Sequence, residues 1–326
     1  MRWLVLAATS VVASSVGRAQ SVSDTLFLTF DDPLAPFFDA SPHHHAVASH
    51  VLLDDPDFPG AGVQWSNAAP SPAGGGYAVF DGGSYLEIPA SPVFEYAGDE
   101  DLTLRFWFRS PGIDRGADFG HYRNRQHAMG FGKSPDGVTD TDNLDIDFDD
   151  PDVWYQPDLW VYWSGQGSNQ LITPNPRRPL TDDAWHQLYL VREDGAIRVV
   201  VRDALGNIEY DIGPVASAGT LGSAIGKNFI GRGARTSSAL SDLAGMLWLG
   251  AIDDVRLTKG VAIAPEDEPV DVPACLSAQQ SCEPTAFYIT VRRGDGALGQ
   301  IRCTWDGAAL SCDATIRPIS EATSCE

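Results

Sequence analysis

The sequence predicts an all-β protein, a sandwich or barrel followed by a small C-terminal disulfide-containing β module. Three observations carry that expectation. Short segments that alternate apolar and polar side chains recur through residues 21–264, with clusters of Gly, Pro, Asn and Asp between them. No long amphipathic helix and no internal repeat interrupts them. All five cysteines fall between Cys275 and Cys325, so the large region before them contains none.

The first residues set the compartment. Arg2 precedes an apolar run at residues 4–16, and Gly17 and Ala19 supply small residues at the minus-3 and minus-1 positions of a cleavage site. Residues 1–19 therefore read as a secretory signal, with the mature chain exported to the extracellular space or periplasm. The run is shorter than the roughly 20 residues of a membrane span, and nothing later reaches that length. No cysteine follows the cut, which argues against a lipid anchor.

The formal net charge of −22 becomes more negative still once Arg2 and Arg18 leave with the signal. Such a chain repels nucleic acid and anionic membranes, and its acidity serves either to attract divalent cations or simply to keep it soluble. Neither nucleic-acid binding nor membrane insertion is expected.

The strands follow in order. Leu102, Leu104, Phe106 and Phe108 share one face of a segment whose other face carries Thr103, Arg105 and Arg109. That period of two is a half-buried strand. Ile197, Val199 and Val201 alternate with Arg198, Val200 and Arg202 in the same way, and Leu144, Ile146 and Phe148 with Asp145, Asp147 and Asp149. Turns about every ten residues give a sandwich or barrel. The proline- and acid-rich stretch 265–274 reads as an extended linker. It separates the 21–264 domain from a module at 275–326.

In that module Asp306-Gly307 is a hairpin turn signal that would set Cys303 against Cys312. An exported, cysteine-dense tail points to disulfides, and the absence of a Cys-x2-Cys pair or any histidine there argues against zinc. Five is an odd number, so one thiol is free or pairs with another chain.

Candidate sites cluster near the middle of the chain. Residues 136–158 hold nine aspartates and no Lys or Arg. The segment from Asp140 starts like a calcium loop but lacks the sixth-place glycine and twelfth-place glutamate of an EF-hand. A looser cation site or a solvated acidic edge remain as readings. Asp145, Asp147 and Asp149 alternate on one face about 6.5–7 Å apart. A retaining glycosidase needs about 5–5.5 Å between its carboxyl oxygens. The catalytic reading is thus the weaker alternative. Trp154, Tyr155, Trp160 and Tyr162 form a candidate sugar-binding set, because indole and phenol faces stack on the apolar faces of sugar rings. Trp185 and Trp248 are assigned to structure. His43-His44-His45 with His50 invites a transition-metal reading, against which stands the difficulty of bringing contiguous histidines to one ion. No nucleophile elbow, phosphate loop or dinucleotide fingerprint is present.

Seven segments, in order, resemble the bacterial laminin-G-like, concanavalin A-like jelly roll: the opening Phe27-Leu28-Thr29-Phe30-Asp31-Asp32; the loop Asp39-Ala40-Ser41; Phe80-Asp81-Gly82 with Tyr85; the strand at residues 102–108; Trp185-His186; Phe229-Ile230-Gly231; and the closing Ile252-Asp253-Asp254-Val255-Arg256. The sequence departs from that pattern at residues 202–207 and in the long acidic stretch before Trp154. The resemblance implies two face-to-face sheets of six or seven strands and a structural calcium joining the first and last strands. It assigns the ion to the Asp253 carboxylate, with backbone carbonyls near Asp32 and Gly82. It also implies an extracellular glycan or glycoprotein as partner. A cell-surface adhesive protein, and a glycoside hydrolase or lyase using the Asp145/Asp147/Asp149 strand, are the alternatives.

Overall fold

In the computed structural model the alternating segments become strands that pair antiparallel throughout the described residues. The structure describes residues 23–52, 61–69, 71–98, 100–112, 125–133, 144–148, 159–164, 168–172, 180–217, 220–221, 225–233, 247–268, 286–292, 298–305, 310–312 and 317–318. The signal at 1–19, Asp149, Trp154, Tyr155, Cys275, Cys282, Cys325 and the Asp306-Gly307 turn lie outside them.

The sandwich is built from β1 (Ser23–Leu28), β2 (Ala48–Val51), β3 (Gln64–Ser66), β4 (Tyr77–Asp81), β5 (Ser84–Ile88), β6 (Leu102–Arg109), β7 (Gln126–Lys133) and β8 (Leu144–Phe148). It continues with β9 (Leu159–Ser164), β10 (Ser168–Ile172), β11 (His186–Glu193), β12 (Ala196–Asp203), β13 (Ile208–Ala216), β14 (Lys227–Ile230) and β15 (Leu249–Lys259). One sheet has eight strands in the order β13-β12-β11-β6-β15-β4-β3, with β1 also paired to β15. The other has seven, in the order β10-β9-β8-β7-β14-β5-β2. Beginning and end of the domain meet as expected, Leu28 opposite Val255 and Ser23 opposite Lys259.

The residues sharing one phase of each strand form the interior. Leu104, Phe106 and Phe108 from β6 meet Ile146 and Phe148 from β8 in a single cluster that also takes Trp163 and Trp248. Phe108 and Phe148 touch across the sheets with ring centroids 4.6 Å apart. Each such side chain contributes about 1.5–3 kcal/mol by leaving water. Trp185 stabilises a satellite cluster with Tyr77, Trp107 and Ala251 on the outer side of the eight-stranded sheet.

Two features differ from expectation. Val200, on the outward phase of β12, is fully buried with Tyr189 and Val191, and Ala262 packs against them. The stretch read as an extended linker begins three residues beyond Ala262 and continues over the same face, where Glu268 reaches Tyr189. Pro265–Asp267 makes a single 3-10 turn, and the segment is strapped to the outer face of the eight-stranded sheet. Glu268 pairs with Arg105 and accepts a hydrogen bond from Tyr189 Oη, while Glu266 accepts from Arg198. Acidic residues read as linker composition are here counter-charges for a row of arginines. The second difference concerns residues 202–207, which still close the β12–β13 hairpin. The Asp203 carboxylate accepts from the backbone N–H groups of Leu205 and Asn207.

The tail contributes β16 (Ala286–Arg292), β17 (Leu298–Trp305), β18 (Leu310–Cys312) and β19 (Arg317–Pro318), paired as one small sheet. Its register sets Cys303 directly opposite Cys312. Among the described residues no helix is long and apolar enough to cross a membrane.

Candidate functional site

The outward phase of the seven-stranded sheet gathers the chemistry. On β8 the apolar residues Leu144, Ile146 and Phe148 point to the core, which turns Asp145 and Asp147 outward. On β9 the core takes Leu159, Val161 and Trp163, so Trp160 and Tyr162 share the outer face with the two aspartates. Register places Trp160 opposite Asp147 and Tyr162 opposite Asp145. The next strand brings His127 opposite Asp147. A bulge between His127 and Met129 shifts the phase of β7. Ala128 and Met129 therefore both enter the core while His127 stays on the outer face.

These groups form one network. Trp160 and Tyr162 stack in parallel, centroids 5.7 Å apart and planes 7° from each other. The Arg125 guanidinium lies over both rings, at 5.7 and 5.6 Å. It donates to Tyr162 Oη at 3.0 Å and to Asp147 Oδ2 at 2.5 Å. The other Asp147 oxygen meets His127 Nδ1. Burial alone would push the Asp147 carboxyl up, but His127 and Arg125 outweigh it and hold the group below the ordinary carboxylate range. Asp147 is therefore an ionised anchor, and a general-acid role would have to fall elsewhere.

His127, Asp145 and Asp147 are all buried and bring three ligating atoms within 4.8 Å of one another, a set that could hold a metal ion. One imidazole beside two carboxylates suits a transition ion better than calcium, which takes six to eight oxygens. Of the sugar-binding set read from the sequence, the structure brings Trp160 and Tyr162 together. Arg125 and His127 were missed.

The implied calcium position lies elsewhere. β15 pairs with β4 up to Ile252 and with β1 from Val255, so Asp253 sits at the handover between two partners. Asp254 there takes a left-handed φ of 44°. Asp253 is fully buried, accepts from Ser71 Oγ at 2.5 Å and from the Asp254 N–H at 2.8 Å. Burial pushes its carboxyl up to about 8, and the nearby Asp254 and Asp31 add repulsion. A buried carboxylate with Asp31 and Asp254 beside it offers the kind of oxygen ligands a hard cation takes.

The accompanying ligands do not assemble as the resemblance implied. Gly82 is level with Trp248, at the far end of β4, five residues along from Asp253 or about 16 Å. Asp32 is exposed, and its carboxylate accepts from the Leu34 N–H. Besides Asp254, Asp253 feels Asp31, whose carboxylate rests against Gly75; a Cβ there would fall 1.7 Å from Asp31 Oδ1.

The histidine triple is occupied in packing. His44 Nδ1 meets the Asp39 carbonyl at 3.1 Å, His45 Nε2 the Thr25 carbonyl at 3.2 Å, and the His45 ring packs tilted against Phe94. His50 lies flat on Tyr85, at the β5–β2 edge of the seven-stranded sheet. Asp39 organises this loop, accepting from the N–H groups of Phe27, Ser41 and His45.

No protein-family model matches the sequence, and no curated protein matches it. Solved structures match in shape. The binding domain of Paraclostridial mosquitocidal protein 1 aligns at a TM-score of 0.50 and 10% identity, over 92% of this chain and 69% of that one. Domain 4 of a GH43 extracellular arabinanase from Geobacillus stearothermophilus, solved in complex with arabinotriose, aligns at 0.49 and 14%, over 76% and 96%. Domains LG4-5 of the mouse laminin α1 chain align at 0.35 and 17%, over 56% and 40%. At 10% identity the first of these bears on the fold alone.

Proposed function

We propose that the chain, a concanavalin A-like and laminin-G-like β-sandwich by its fold, is a secreted carbohydrate-binding module whose ligand lies on the outer face of the seven-stranded sheet. One observation carries this reading: two stacked, half-buried aromatic rings, Trp160 and Tyr162, stand beside buried carboxylates and a guanidinium on a single sheet face. Sugar rings present apolar faces and hydroxyl edges together, and such a surface offers both kinds of contact. A structural calcium at Asp253 and a Cys303–Cys312 disulfide belong to the same proposal. The hydrolase or lyase alternative has less support, because Asp147 is neutralised by Arg125 and His127 rather than poised to give a proton.

The test is a glycan array probed with the mature chain and with Trp160→Ala. The reading expects binding to at least one oligosaccharide class, weakened about tenfold or more in the variant at an unchanged melting midpoint. Silence across the array, or equal binding by the two proteins, would overturn it.

A further inference from the structure

We infer that the same sheet face carries a subsite for an anionic group on the sugar ligand, a carboxylate or a sulfate, and that Arg232 receives it. The inference rests on the carbohydrate reading above and names the class of ligand that the face selects.

Arg232 follows β14 directly and is placed by the strand ladder. The Gly231 N–H donates to the Ala128 carbonyl at 2.7 Å, and Arg232 itself bridges to Leu247. Gly231 takes a left-handed φ of 78°. That twist lets Arg232 leave on the side of Phe229 instead of entering the core. The following residue, Gly233, lies so close to His127 that a Cβ would fall 2.3 Å from its Nδ1. Arg232 thus continues the row Trp160, Asp147, His127 across the face. Three strand spacings, about 14–15 Å, separate its strand from that of Trp160. A ligand lying across the strands would meet the aromatic pair at one end and Arg232 at the other.

Its surroundings are unusual. The guanidinium carbon lies 4.7 Å from the ring centroids of both Tyr85 and Phe229, and the residue is only 7% exposed. Ring faces attract the cation but accept none of its five in-plane N–H donors. Among the described residues Arg232 has neither a hydrogen bond nor an ion pair, and its Nε is buried without an acceptor. Other arginines among the described residues differ in having partners at one nitrogen or another, although Arg105, Arg125 and Arg202 also leave Nε buried without an acceptor. Arg105 has Glu268 and Asp254, Arg125 has Asp147, Arg198 has Asp211 and Glu266, and Arg256 has Asp24. Arg192 and Arg202 donate to backbone carbonyls.

In a chain of net charge −22, acidic partners are abundant. A buried guanidinium left without one is costly unless an acceptor arrives from outside. A planar, two-oxygen group matches its fork. The overall negative charge repels dense polyanions. The class that fits is therefore a glycan bearing an isolated anionic substituent.

The experiment uses the mature chain, Arg232→Met and Arg232→Lys. Each is applied to an array of matched oligosaccharides that differ only in one position: neutral, carboxylate-bearing or sulfated. The wild type is expected to bind one anionic arm about tenfold or more above its neutral partner, the scale of a charge-assisted hydrogen bond. That ratio should collapse toward one in Arg232→Met and survive in part in Arg232→Lys. The arm that responds identifies carboxylate or sulfate. In parallel, sodium sulfate is compared with sodium chloride at equal ionic strength by melting midpoint. A sulfate-specific rise that Arg232→Met abolishes would support the subsite even if no glycan bound, in which case only the carbohydrate reading falls. Equal ratios in wild type and Arg232→Met, or no anionic preference together with no sulfate effect, would overturn the inference.

Discussion

Replacing Asp253 with asparagine should change how stability depends on pH and calcium, in a direction the structure dictates. Asp253 is fully buried with its carboxyl pushed up to about 8. In the unfolded chain an aspartate titrates near about 3.9. Between those values the folded state keeps a proton that the unfolded state has released. Without a divalent cation, stability is therefore greatest below about pH 4 and declines as the pH climbs to about 8. At about 1.4 kcal/mol per unit, the four-unit gap amounts to about 6 kcal/mol at most, with water penetration reducing it. Calcium bound to the ionised carboxylate would cancel that loss and raise the midpoint as its concentration grows. Asp254, pushed up to about 6 mainly by burial, acts in the same direction but is common to both proteins. The assay is denaturant unfolding of wild type and Asp253→Asn from pH 4.5 to 8.5, with chelator and with calcium. In chelator the wild type should lose stability relative to the variant as pH rises, and only the wild type should respond to calcium. Parallel pH curves in chelator, or an equal calcium response in the two proteins, would refute the reasoning.

Three further outcomes are expected. His186 is buried between Glu209 and Asp182; burial would lower its imidazole, but those hydrogen bonds and charges outweigh it and raise it. Its contribution to stability is thus present below about pH 6.5 and lost as pH rises through the elevated value, so Glu209→Gln should cost about 1.5–3 kcal/mol at pH 5.5 and less at pH 9 in chemical denaturation. Glu268→Gln should destabilise the sandwich by about 1–3 kcal/mol by removing the counter-charge of Arg105. It should also speed amide exchange in β12, which the strap covers. Peptide mapping of non-reduced protein secreted with its disulfides intact should recover Cys303 linked to Cys312, as their opposed register allows.

The strand pattern was legible because its cause is local. Burying one face of a two-sided ribbon forces a period of two, and Leu104, Phe106, Phe108, Ile146 and Phe148 declare that face without any tertiary information. The same alternation sets Trp160 and Tyr162 on the face opposite Leu159, Val161 and Trp163, but which set is core depends on the packing of the two sheets. His127 was hidden by the bulge at Met129, where consecutive inward residues break the alternation that would have marked it as outward. Arg125 carries no periodic signal; its role appears only when strand pairing brings Asp147 to it. The placement of Gly82 depended on the long-range register of β4 against β15, which sets it level with Trp248, five residues along from Asp253, and which local pattern does not encode. Val200 offered the one clue to the strap: an apolar residue on an otherwise arginine-bearing phase of β12 needs a cover.

The central claim is that the outer face of the seven-stranded sheet receives a sugar. A crystal structure of the mature chain with the oligosaccharide that binds best would address it without intermediaries. The account predicts a sugar ring in contact with Trp160 and Tyr162 and a charged substituent within hydrogen-bonding reach of Arg232. A ligand seated on the eight-stranded sheet, or on loops away from both positions, would contradict it.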